Sequence, residues 1–145
     1  MRTKEFLGKL DHDRIVEAIR EAESKTSGEI RVFIQRGKLD GDPLPLAEKK
    51  FHEFGMHKTP DRNATLILLA PRAHKFAVIG DQGIHEKCGG DYWQRIVAQM
   101  SEHFQGERFT DAIVEAVREI GNVLARHFPP KPGDRNDLSD EVIEG

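Results

Sequence analysis

An α/β fold, arranged as a three-layer α/β/α sandwich around a small mixed sheet, is the architecture this sequence predicts. Three observations carry it. Residues 64–70, ATLILLA, are apolar without alternation, which marks a strand covered on both faces. Segments with apolar residues at helical spacing flank it on either side, the longest running from Phe109 through Ile113, Val117, Ile120 and Leu124 to Phe128. The periodic segments follow one another in the order αβαββαα, which asks for helices on the faces of a sheet.

Each element has its own signal. Asp11 suits a helix N-cap, with Leu10 and Ile15 as a hydrophobic staple, and Ile15, Ile19 and Ala22 continue the apolar face. Ser27-Gly28 is the expected end of this helix. Residues 1–10 read as a short lead-in. Glu29 to Gln35 alternates as a strand, with Ile30, Val32 and Ile34 on one side. Asp42 caps a second helix with Pro43 at its first position, Ala47, Phe51 and Phe54 face inward, and Gly55 ends it. After the apolar strand, Pro71-Arg72 opens a tight reversal and Phe76 to Ile79 return. Gly80, Gly83, Gly89 and Gly90 read as a broken loop over 80–91, after which Asp91 caps a third helix on the face of Trp93, Ile96, Met100 and Phe104. Pro129-Pro130 closes the last helix. The expectation is one domain over 1–130 and an acidic, flexible tail over 131–145, mobile or loosely docked.

Composition narrows the function classes. Of 145 residues, 37% are hydrophobic and 32% charged, with a net charge of -3, so a basic nucleic-acid footprint is not expected. No apolar run is long enough for a membrane span, and MRTKEFLGKLDHD has no apolar core of a secretory signal. The single cysteine, Cys88, excludes an internal disulfide and fits a reducing, cytoplasmic setting. A monomer is expected.

The element order itself points to a site. The first strand, second helix and second strand form a βαβ unit, so those strands run parallel. The second and third strands form an antiparallel hairpin. If Ala70 pairs with Lys75, Ala64 meets Asp81, and Asp61 and Asn63 gather near Asp81. The parallel first strand brings Glu29 to the same rim, and His85, Glu86 and Asp91 lie in the segment leaving it. Gathered carboxylates are costly unless a cation or an arginine neutralises them. Their oxygens suit a hard divalent cation, calcium or magnesium.

Other chemistries lack their pattern. His85 and Cys88 have no second pair at zinc spacing. Arg95 falls one place late for a phosphocysteine loop after Cys88, Asp40-Gly41-Asp42 lacks the following threonine of aspartyl-phosphate enzymes, and Arg126-His127 lacks the following glycine of histidine phosphatases. The glycines match neither a dinucleotide nor a P-loop motif.

Thr26-Ser27-Gly28-Glu29-Ile30, Gly55-Met56, Arg62-Asn63 before the apolar strand, and Gly80-Asp81-Gln82-Gly83-Ile84-His85-Glu86 together resemble a TPM domain, over roughly residues 5–130. Gly106, Phe109 and the long last helix fit as well. The chain looks like the short stand-alone bacterial members. The resemblance implies an α/β/α sandwich with a divalent-cation site, usually calcium, in an acidic crevice at the sheet end. For some members it implies a modest acid phosphatase activity. The matching positions are Asp61 or Asn63, Asp81, and Glu86 or Asp91. The chain departs from many relatives in carrying Asn63-Ala64 where they have Asn-Gly, and in showing neither their signal peptide nor their membrane helix.

Two readings follow. In one, the domain is a cation-stabilised binding module for a protein partner, with Asp61, Asn63, Asp81, Glu86, Asp91 and Glu29 as the metal-ligating candidates and calcium ahead of magnesium. In the other, a cation held by Asp81, Asp61 and Glu86 polarises a phosphomonoester, with His85 as the proton donor to the leaving group. The binding reading is preferred, because no activated nucleophile or phosphate-cradling loop is visible.

Overall fold

A computed structural model of the protein describes residues 2–130 and 142–144. The elements are α1 (Thr3–Gly8), α2 (His12–Glu23), β1 (Glu29–Ile34), α3 (Pro43–Glu53), β2 (Ala64–Ala70), β3 (Lys75–Gly80), α4 (Gln82–Cys88), α5 (Gly90–Gln105), α6 (Phe109–His127) and β4 (Ile143–Glu144). Short 3-10 turns occupy Met56–Lys58 and Pro71–Ala73. The sheet order is β3-β2-β1-β4, with β1 parallel to β2 and to β4, and β2 antiparallel to β3.

The sheet divides the core into two layers because strand side chains alternate in direction. Ile30, Val32, Ile34, Ile67 and Leu69 face a layer built by α1, α2, α4, α5 and α6. Phe33, Ala64, Leu66 and Leu68 face the other way, onto Ala47 and Phe51 of α3 and onto Met56. The α/β/α sandwich is thus observed. Helices α2 and α6 cross closely at Ala22 and Gly121, where a Cβ on the glycine would lie 2.7 Å from that of Ala22.

Several local expectations are met. Asp11 accepts from the Arg14 amide as the cap of α2, and Leu10 and Ile15 are both buried. Asp42 caps α3 with Pro43 behind it, and Gly55 follows at φ 69°. Ala70 pairs with Lys75 as the hairpin register required.

Three expectations need correction. Residues 3–8 form a helix, whose Phe6 packs on Phe109 with ring centroids 5.0 Å apart. Helix α2 ends at Glu23 rather than at Ser27-Gly28. Gly28 is not a left-handed cap; it is a close approach, since a Cβ there would lie 2.8 Å from Leu124 Cδ2 and 3.1 Å from the Asn63 carbonyl. Residues 82–88 are helical rather than a loop. Of the expected tail, residues 131–141 and 145 lie outside the described residues, and Ile143–Glu144 dock as β4 against Phe33 and Ile34.

Candidate functional site

The rim lies at the end of the sheet where β1 and β2 begin and β3 ends. Glu29 stands opposite Ala64, Thr65 opposite Gly80, and the Asp81 amide donates to the Ala64 carbonyl at 2.9 Å. Immediately beyond Gly80, Asp81 turns extended and caps α4, its Oδ1 accepting from the Gln82 amide at 2.7 Å. Helix α4 rests on the segment before β2. The Gly83 amide donates to the Arg62 carbonyl at 2.7 Å, and a Cβ on Gly83 would fall 2.1 Å from the Asp61 carbonyl. Only glycine lets the two backbones approach this closely.

Asp81 is 7% exposed and is neutralised by the chain itself. Arg62 Nε donates to Oδ2 at 2.7 Å and Nη2 to Oδ1 at 2.9 Å, a two-pronged ion pair. Those hydrogen bonds, and then the carboxylate charge, push the Arg62 guanidinium above its ordinary range. Arg62 sits at φ 51°, a left-handed backbone that aims the side chain back across the rim, and it stays 47% exposed. A second arginine serves Glu29. Arg31, two residues on along β1, is buried; burial lowers its pKa while the charges of Glu23 and Glu29 oppose that shift. Its guanidinium lies 5.3 Å from the Phe54 ring.

The predicted residues therefore separate. Glu29, Asp61, Asn63 and Asp81 lie along the same end of the sheet, but among the described residues their carboxylates do not gather into a ligand set. Asn63 is buried, its Nδ2 donates to Ser27 Oγ at 3.2 Å, and its Oδ1 has no hydrogen-bond partner among the described residues. Glu86 and His85 lie exposed on α4, and Glu86 accepts from Gln82 at 3.1 Å. Asp91 is exposed in the first turn of α5, not its cap. Cys88 is partly buried, and burial pushes its thiol up against the opposing pull of Arg126, which disfavours the thiolate.

Calcium takes roughly six to eight oxygens. Both Asp81 oxygens already accept N–H groups, and among the described residues no set of three or more His, Cys, Asp or Glu side chains is placed to hold a metal ion. As arranged, with Arg62 on Asp81, the rim does not fit a calcium ion.

Residues behind the rim were not anticipated. The Thr26 hydroxyl donates to the carbonyls of Leu124, at 3.1 Å, and Phe128, and accepts from the Gly28 amide at 3.0 Å. It thereby ties the end of α6 to the start of β1. Glu23 Oε2 accepts from the Ile30 amide at 2.8 Å, and Thr59 Oγ1 from the Asn63 amide at 3.2 Å. Small hydroxyls between a helix end and a strand were the available signal.

Comparison with known proteins supports the fold and names the family. A family model described as the TPM domain matches residues 2–123. The BA42 protein from the psychrophilic bacterium Bizionia argentinensis, solved by NMR, is 32% identical; the alignment covers 94% of this chain and 95% of that one, with a TM-score of 0.83. The N-terminal domain of the cg2496 protein from Corynebacterium glutamicum shares the fold at 13% identity and a TM-score of 0.59, covering 92% of this chain and 77% of that one. An N-terminal domain from P. gingivalis does so at 17% and 0.58, covering 82% and 76%. Among curated proteins, none matches. A family model spanning most of the chain and a relative aligned over nearly the full length of both make this chain a member of the TPM domain family.

Proposed function

We propose that the chain is a binding module without chemistry of its own, and that its working surface is the rim around Asp81. The observation that supports this reading is the Arg62–Asp81 pair: the carboxylate a catalytic site would need is already engaged on both oxygens. His85, the proposed proton donor of the enzyme reading, is exposed on α4. The half-exposed Arg62 guanidinium and the ordered α4 then offer a fixed polar surface to a protein partner. A divalent cation, calcium before magnesium, enters this reading as a competitor of Arg62 for Asp81.

Two measurements test it. Calcium titrated into the protein and into Arg62→Gln, followed by amide NMR, should bind the variant about tenfold more tightly, because two charge-assisted hydrogen bonds no longer compete. Shifts should gather at 61–64 and 80–86. Equal or weaker binding by the variant removes the competition. Phosphomonoester hydrolysis by purified protein, with either cation present, should not differ between the parent and Asp81→Asn. Turnover that the substitution abolishes would overturn the binding-module reading in favour of a metal-assisted phosphatase.

A further inference from the structure

We propose that the outer edge of β1 is a strand-acceptor site for an extended partner segment of the pattern β-branched, β-branched, acidic, occupied in this chain by its own Val142, Ile143 and Glu144. The Gln35 amide donates to the Leu69 carbonyl on β2, so residues of the same parity turn their backbone groups to β2. Ile30, Val32 and Ile34 consequently turn theirs to the opposite edge. The first of these is closed by a side chain, since the Ile30 amide donates to Glu23 Oε2. Just ahead of it, the Ser27 amide donates to the Phe128 carbonyl. The half of the edge from Val32 to Ile34 is where a strand can add, and β4 sits there, with Phe33 opposite Ile143 and Ile34 opposite Glu144.

The resident segment uses both faces of the sheet. Val142 packs on the layer of α2 and α6, Ile143 on the α3 layer with Phe33, and Glu144 reaches Arg36 at 3.0 Å. The acceptor therefore reads two apolar side chains of opposite direction and one carboxylate, which is how strand addition acquires specificity. The hold is weak. Two residues pair, and the Arg36–Glu144 ion pair is exposed, a type that contributes little. A segment held by two paired residues and one exposed ion pair is readily displaced by a competitor. The site uses neither Asp81 nor Arg62, so it stands or falls apart from the rim.

The test uses full-length protein carrying Ile143→Asp and a synthetic hexapeptide with the sequence of residues 140–145, DEVIEG. The peptide should bind the variant saturably, with amide shifts centred on residues 32–36, and should bind the unmodified protein about tenfold more weakly because the tethered segment competes. A peptide with the isoleucine replaced by aspartate should not bind. On the unmodified protein, excess peptide should shift the amides of Val142 to Glu144 toward their positions in the variant. Equal binding by parent and variant, shifts away from β1, or no shifts at millimolar peptide would each overturn the proposal.

Discussion

Tyr92 sets burial against hydrogen bonding. Its side chain is buried and its hydroxyl has no hydrogen-bond partner among the described residues. Burial pushes the phenol pKa up, Cys88 and Glu119 push the same way, and Arg95 and Arg126 oppose them. The folded state thus holds the phenol proton more tightly than the unfolded chain. Above about pH 10 the unfolded chain loses that proton first, so stability should fall as pH rises from there. Tyr92→Phe should flatten this alkaline slope and, at neutral pH, stabilise the protein by about 1 kcal/mol by removing an unpaired buried hydroxyl. Urea melts of both proteins at neutral and alkaline pH decide it; a variant less stable at neutral pH would mean the hydroxyl has a partner. The same scale shows what residue types disclose. Asp81 stands out in the sequence as an acid at a strand end with Arg62 near the same rim, yet their two-pronged pairing is not legible there. Arg62 is its neighbour only because the hairpin folds back and because Arg62 adopts a left-handed φ.

Helix α4 is the element that sequence patterns concealed. Four glycines between 80 and 90 suggested a loop, because isolated glycines weaken helices. Tertiary contacts override that tendency. Gly83 lies against the Asp61 and Arg62 carbonyls, Gly80 under the Trp93 ring, and Ile84 is fully buried. Only Gly89, at φ 76°, acts as a helix terminator. Gly83→Ala should therefore cost about 3 kcal/mol through forced separation of α4 from the 61–63 segment. Denaturant melts give the magnitude, and amide shifts spreading from α4 into residues 59–63 give the mechanism. A change below 0.5 kcal/mol, roughly that of an ordinary surface substitution, would show that the segment relaxes freely. Longer elements were legible for the opposite reason. In α5 and α6 the apolar face repeats over several turns, and one misread residue does not alter the face.

At the scale of the molecule, β1 and β2 are walls common to both core layers. Ile67 and Leu69 belong to one layer and Leu66 and Leu68 to the other, on the same strand. Neither layer can open without exposing the other side of β2, so unfolding should be a single cooperative transition. Trp93 fluorescence reports the α5 layer and far-UV circular dichroism the whole chain; their denaturant midpoints should coincide, and separated midpoints would indicate independent layers. The α/β/α sandwich, the parallel β1–β2 pair, the β2–β3 register and the placement of Glu29, Asp61, Asn63 and Asp81 along one end of the sheet were all determined by the order and periodicity of the residues. Chain direction and the two-residue strand repeat leave few alternatives. The tertiary structure alone decided which charges meet there. Arg62 compensates Asp81 because a left-handed backbone and the packing of α4 aim its side chain, and linear spacing carries no record of that direction. Tertiary structure also placed the far end of the chain beside β1, since strand addition depends on an edge left open elsewhere in the fold.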